Sequence, residues 1–291
     1  MDNKKSMGHI LAIITIIIWG TTYISTKVLL RNFQPVEILF VRFIMGLAIL
    51  FIVCPKLLKG TSLKQELLFA LAGLFGICLY YLLENIALTY TSASNVGVII
   101  CVAPFFTAII SHIFMKDKEK FRIGFFIGFI VAMIGICFMS YSGSKLELNP
   151  FGDFLALLAA LVWAGYSVVT KKISSFGYST ILTTRRTFFY GTIFMIPTLF
   201  IFDFNIELVK FTEPVNLLNI LYLGLGASAL CFVTWNYAVK VLGAIKTSIY
   251  IYMVPVITVV TSILILNEQI TILSAIGIVF TLVGLIVSQM K

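Results

Sequence analysis

Charge is what this chain has least of. Of its 291 residues, 11% are Asp, Glu, Lys or Arg and 60% are hydrophobic, with mean hydropathy +1.07. A soluble globule of this size shows water far more polar surface than that, so a bilayer is the expected solvent. Histidine is scarcer still. His9 and His112 are the only two, and no HExxH or GxSxG run accompanies them; hydrolase chemistry therefore has nothing to stand on. A glycine-rich phosphate loop is missing as well, which excludes ATP hydrolysis by this chain as an energy source. The five cysteines, Cys54, Cys78, Cys101, Cys137 and Cys231, lack metal-ligand or CxxC spacing and read as small packing residues. No enzymatic activity, cofactor or metal is expected.

What is present is apolar runs. Backbone groups in lipid cannot bond to water, so runs of about 20 apolar residues must be helices. Ten are read here, in 8–29, 36–54, 65–88, 93–115, 121–141, 151–173, 179–202, 215–239, 244–266 and 271–290. Lys4 and Lys5 before the first run resemble the start of a signal peptide, yet the run continues to Leu30 without a small-residue cleavage site, and a retained helix is expected. The segments between runs are too short to fold alone.

The net charge of +9 is explained by where the basic residues fall. With the N-terminus inside, fourteen of the 21 lysines and arginines are cytoplasmic, among them Lys56, Lys59, Lys64, Lys116, Lys118, Lys120, Arg122, Lys171, Lys172, Lys240 and Lys246. Lys27, Arg31, Lys145 and Lys210 fall outside. That surplus is a topology signal for cytoplasmic N- and C-termini of a multi-pass cell-membrane protein, not a nucleic-acid patch.

The chain is written twice. Gly8, Leu11, Ala12, Trp19, Thr26 and Lys27 return as Gly152, Leu155, Ala156, Trp163, Thr170 and Lys171, at a constant offset of 144. Gly73, Leu74, Asn85, Ala87, Ala93, Pro104, Thr107 and Ser111 return as Gly224, Leu225, Asn236, Ala238, Ala244, Pro255, Thr258 and Ser262, at an offset of 151. Each copy, 8–141 and 151–290, holds five spans. Five is odd, so the second copy enters from the opposite face, as an inverted repeat with its shared site near the midplane.

Two stretches carry a resemblance. Ala87 to Ser94 (ALTYTSAS) with Ala103-Pro104, and Tyr237 to Ala244 (YAVKVLGA) with Val254-Pro255 and Leu266 to Thr271 (LNEQIT), resemble the paired signature blocks of EamA-type transporters of the drug/metabolite transporter superfamily. The resemblance spans nearly the whole chain. It implies an all-α bundle of ten transmembrane helices in two inverted five-helix repeats, with spans 3, 4, 8 and 9 around a pathway, 1 and 6 assisting, and 5 and 10 peripheral. It also implies transport of small solutes, from amino acids and vitamins to aromatic cations.

Individual residues point the same way. On the third span Ile77, Tyr80 or Tyr81, Glu84 and Leu88 fall within about 100° of one another, with Asn85 beside them. Glu84 is a carboxylate within a span, which is costly unless it meets a partner, water or substrate. Arg42, Arg185 and Arg186 are its candidate partners, either in a structural ion pair or around a substrate or proton. Trp19, Trp163 and Trp235, every tryptophan present, lie inside spans, where they either pack or line a cavity for an apolar or aromatic solute. Trp235-Asn236 repeats the place of Glu84-Asn85, so both pairs are expected to face one central volume. Pro104 and Pro255 each free a carbonyl at equivalent depth and are candidate hinges, with Thr107 and Thr258 placed to satisfy the kinks. Gly124, Gly128 and Gly135, with Gly277 and Gly284, give the fifth and tenth spans close-packing faces, within one chain or toward a second copy.

The substrate-binding candidates are thus Trp19, Tyr80, Tyr81, Glu84, Asn85, Trp163, Trp235 and Asn236. A secondary transporter, driven by substrate, proton or counter-solute gradients, is expected. The alternative is a non-transporting membrane scaffold or assembly protein, whose centre would be dry and filled.

Overall fold

The computed structural model describes residues 2–91, 93–115, 123–143, 149–202, 204–205, 207–266 and 272–289. The basic residues Lys116, Lys118, Lys120, Arg122, Lys145 and Lys291 and the segment 267–271 with Glu268 lie outside the described residues.

The described residues are all-helical, without a strand. Ten segments succeed one another: α1 (Asp2–Leu29), α2 (Pro35–Val53), α3 (Leu63–Tyr90), α4 (Ala93–Ile100 and Ala103–Phe114), α5 (Ile123–Gly143), α6 (Pro150–Ser174), α7 (Thr180–Ile201), α8 (Pro214–Leu242), α9 (Ala244–Ser248, Ile249–Tyr252 and Met253–Leu266) and α10 (Ile272–Gln289). Six of them, α1, α2, α3, α4, α6 and α8, contain helices long and apolar enough to cross a bilayer. Shorter apolar stretches, Ile123–Phe138, Ala244–Thr258 and Ala275–Ser288, lie in α5, α9 and α10. In α7 the pair Arg185-Arg186 and several threonines dilute the run. Large apolar side chains such as Ile17, Phe51, Leu67, Ile130 and Phe154 face outward, a surface suited to lipid.

Local chemistry sets the helix starts. Pro35 opens α2 behind Gln34, whose backbone N–H donates to the Glu37 carboxylate at 2.8 Å, and Asn149 accepts from Gly152 N ahead of Pro150 in α6. Gly243, at φ 98°, ends α8 in a conformation that a side chain would resist.

Packing repeats between halves. α1 lies on α8 and α9 as α6 lies on α3 and α4. Directions are set by the contacts: Trp19 reaches Ala227 and Thr15 reaches Thr234, so α1 and α8 are antiparallel. Lys27 near the end of α1 reaches the carbonyls of Leu88 and Thr91 at the end of α3, so these two run parallel. Trp163 touches Tyr80 while Gly152 touches Tyr90, which sets α6 against α3. α6 therefore runs opposite to α1, as an inverted copy requires. The two equivalent lysines do equivalent work, because Lys171 Nζ reaches Lys240 O at 3.3 Å near the end of α8.

The glycine faces of α5 and α10 are spent on each other. A Cβ on Gly128 would stand 2.5 Å from Gly284 O, and one on Gly135 would stand 2.6 Å from Gly277 O. The contact is antiparallel and two-fold, so Gly128, Gly135, Gly277 and Gly284 pack within one chain.

Candidate functional site

Two departures from the α-helix prepare the centre. α3 holds a π-helical turn over Leu74–Leu79, and α8 holds another over Tyr222–Leu230, at equivalent places in the two repeats. Such turns are rare and concentrate at functional sites. Gly73 and Gly76 sit there because the α7 backbone and the Tyr166 ring occupy the places where a Cβ would stand. The wider turn also rotates the helix face. Ile77 is carried against Gly191 of α7, while both Tyr80 and Tyr81 join Glu84 on the inner side.

There a small cavity of about 30 Å³ opens between α1, α3, α4, α6 and α9, lined by Ile16, Trp19, Thr22, Tyr23, Tyr80, Tyr81, Glu84, Ile100, Trp163, Ile251 and Val254. At roughly 10–15 Å³ per water it has room for about two waters and is too small for an organic solute. Five of the eight predicted binding residues, Trp19, Tyr80, Tyr81, Glu84 and Trp163, line it. Trp235, Asn85 and Asn236 do not. Trp235 is wholly buried behind the other two tryptophans, 5.1 Å from Trp19 and 6.1 Å from Trp163 between ring centroids. Asn85 donates to Pro35 O at 3.1 Å, at the start of α2. Asn236 accepts from the Tyr166 hydroxyl at 2.7 Å and donates to Thr184 at 2.9 Å, beside a second, smaller polar cavity lined by Thr170, Thr183, Thr187 and Lys240. The expectation that Glu84-Asn85 and Trp235-Asn236 share one volume is corrected: an axis in the membrane plane carries residues away from the midplane to opposite sides.

The two halves of the centre are unequal. The positions equivalent to Trp19, Thr22, Tyr80, Tyr81 and Glu84 are Trp163, Tyr166, Cys231, Phe232 and Trp235. Tyr166, Phe232 and Trp235 pack ring to ring with Trp163, at 5.0, 6.0 and 6.1 Å, and fill the space that stays open around Glu84. An indole replaces a carboxylate.

Glu84 is 5% exposed and has no ion pair within reach among the described residues. Of its three candidate partners, Arg186 pairs with Glu66 at 2.8 Å, and Arg185 donates to the carbonyls of Cys54 and Lys56. Arg42 remains, donating Nε to Ser228 Oγ at 2.9 Å on the π turn of α8 while its guanidinium lies 4.4 Å over the Tyr81 ring. The indole N–H of Trp19 is satisfied by Ala227 O at 2.9 Å, whereas those of Trp163 and Trp235 are buried without a partner.

Each proline stands just past a break. Cys101 and Val102 form a turn ahead of Pro104, and Ile249–Tyr252 is 3-10 ahead of Pro255. The residues four before the prolines, Ile100 and Ile251, both line the cavity. The Cys101 thiol, rather than a threonine, contacts the Ile251 carbonyl that Pro255 frees, at 3.5 Å, and so joins the two breaks across the repeats. Thr107 donates to Ala103 O at 2.8 Å, and Thr258 to Gly20 O at 2.9 Å.

Tyr23, Thr22, Ile100 and Ile251 escaped the sequence reading. Tyr23 stands four residues after Trp19 and the two isoleucines four before the prolines, so the helical period held the signal.

Comparison with known proteins identifies the family. The EamA-like transporter family matches residues 6–141 and 150–290. A protein of Archaeoglobus fulgidus named an uncharacterized transporter is 28% identical over 99% of both chains. One of Clostridium kluyveri with the same name is 28% identical over 97% of this chain and 92% of its own. A probable terminal-alkyne amino-acid exporter of Streptantibioticus cattleyicolor is 23% identical, covering 88% and 84%. A crystal structure superposes on 98% of this chain and 96% of its own with a TM-score of 0.77 at 17% identity, a likeness of fold.

Proposed function

We propose that this chain, which belongs to the EamA-like transporter family, is a secondary active exporter of a small metabolite, such as an amino acid or an amphipathic or aromatic compound, working by alternating access. Its family consists of transporters rather than enzymes, and the chain is a multi-pass membrane protein. The finer reading is that all ten helical segments cross the cell membrane and that both termini are cytoplasmic.

The observation that carries the proposal is the unequal centre. A buried carboxylate with no ion pair among the described residues lines a water-sized cavity in one half, while at the equivalent positions of the other half Tyr166, Phe232 and Trp235 pack ring to ring with Trp163. A scaffold has no use for such a charge, which costs several kcal/mol in the membrane interior unless water, a partner or a substrate meets it. The larger opening beside Glu84 and the smaller polar cavity in the second repeat fit a protein at one end of an alternating cycle. The name of the Streptantibioticus relative supports an amino acid among the solutes, and the aromatic lining suits an apolar side chain.

Purified protein in lipid vesicles, assayed for uptake and efflux against amino acids and aromatic cations with and without a pH gradient, tests this. Gradient-driven accumulation of one class is expected. Equal leakage with empty vesicles for every solute, in both directions, sinks the reading and leaves the scaffold.

A further inference from the structure

Among the described residues four charged side chains are buried: Glu37, Arg42, Glu84 and Arg185. Two have structural work, since Glu37 caps the start of α2 and Arg185 holds backbone carbonyls after α2. Arg42 and Glu84 are left, in the middle of the bundle, 1% and 5% exposed.

They are near each other and yet not paired. Both stand beside Tyr81, Arg42 over its ring and Glu84 with it on the cavity wall, but the two form no salt bridge. Arg42 satisfies Nε on Ser228 and leaves Nη2 buried without a partner. Its guanidinium lies over the ring of Tyr81, whose side chain lines the cavity with Glu84 while Arg42 does not. Opposite charges buried at this cost would gain by closing into an ion pair if their role were to hold the fold. Here an aromatic side chain is placed at the guanidinium instead, in contact with the cavity. Two opposite charges kept apart match the two ends of a zwitterion.

We propose that Glu84 and Arg42 form a site for free α-amino acids, Glu84 receiving the ammonium group and Arg42 the carboxylate once the Tyr81 ring moves aside. The inference rests on the transporter reading above and narrows its substrate class. Trp19, Trp163 and Tyr80 then meet the side chain, and the unpartnered Trp163 N–H adds a donor for the carboxylate. A zwitterion satisfies both buried charges at once. A simple amine or acid leaves one of them unmatched, and a buried charge left unmatched is the costly case.

The test uses three solutes of one shape: L-phenylalanine, phenethylamine and 3-phenylpropionate, with leucine, isopentylamine and 4-methylpentanoate as an aliphatic set. In vesicles containing the unaltered protein, the amino acid of at least one set is expected to move about tenfold faster than either of its one-charge analogues, the order of discrimination that an unmatched buried polar group supports. Arg42→Gln should bring the ratio of amino acid to amine close to one, and Glu84→Gln the ratio of amino acid to acid. Amines moving as fast as amino acids in the unaltered protein would overturn the proposal without reference to any variant. So would an unchanged ratio in Arg42→Gln. If aromatic cations move and neither amino acid does, the zwitterion site falls and the transporter stands; if nothing moves, both fall.

Discussion

Trp19 and Trp163, the same residue of the two repeats, meet edge to face with 5.2 Å between ring centroids and 84° between ring planes. The repeat axis therefore passes between two rings. A T-shaped pair contributes about 0.5–1.5 kcal/mol beyond its area, and here it joins the two halves at the cavity wall. What surrounds the pair differs on its two sides, with Tyr80, Tyr81 and Glu84 in one half and Cys231, Phe232 and Trp235 in the other.

Glu84→Gln keeps the shape and removes the charge. Transport of the amino acid should fall about tenfold, to the rate of its acid analogue, while the amount of inserted protein is unchanged and its Tm in detergent does not drop, because among the described residues no ion pair is lost with the charge. A lower Tm with normal transport would make Glu84 structural.

The prolines should act in opposite senses. Pro104→Ala and Pro255→Ala each restore a helix donor beside a break, in copies that face opposite ways. With cysteines placed at Thr22 in the central cavity and at Thr183 in the polar one, an impermeant thiol reagent should show one variant opening each site. Movement in the same sense for both variants, or in neither, would reduce the kinks to fixed packing.

Substituting the α5–α10 seam should cost stability. Gly128→Leu places a side chain against the Ser288 backbone nitrogen and 2.5 Å from Gly284 O at its Cβ, and a loss of about 1–3 kcal/mol or more is expected from such overpacking. Gly97→Ala meets nothing within 4 Å and should leave Tm unchanged or raise it, since Ala is the better helix former by up to about 1 kcal/mol. Similar melting curves for the two variants would refute this account of the seam.

Topology is checked by the same chemistry from outside. Cysteines at Gly60 and Gly177, in the connections after α2 and α6, should be protected from an impermeant reagent in intact cells, and those at Asn149 and Leu208 should react. Reaction at Gly60 would turn the protein over.

Much of this was legible in the sequence because it depends on periods. The apolar runs foretold helices, the first of which begins earlier than read, at Asp2. Trp19, Trp163 and Trp235 stand out because every tryptophan lies inside a span, and the first two line the cavity with the third packed behind them. The π turns were not legible: widening a turn of α3 or α8 leaves composition unchanged and merely rotates the downstream part of the helix, which is why Ile77 left the expected face and Tyr80 and Tyr81 share it. Arg42 was visible as a charge but not as the neighbour of Tyr81, because that contact joins α2 to α3 and depends on their packing. Glu84-Asn85 and Trp235-Asn236 were read as facing one volume because repeat positions say which residues correspond, whereas distance from the axis decides whether they meet.

The seam between α5 and α10 has the form of an isologous interface: Gly128 meets Gly284 as Gly277 meets Gly135, each contact the image of the other. That is the geometry by which two separate copies of a five-helix chain, inserted in opposite directions, would recognise each other. Carrying both copies on one chain replaces an encounter that depends on concentration with an intramolecular one at an effective concentration of about millimolar. It also frees the copies to diverge, so that a carboxylate in one and an indole in the other can stand at a single ancestral position.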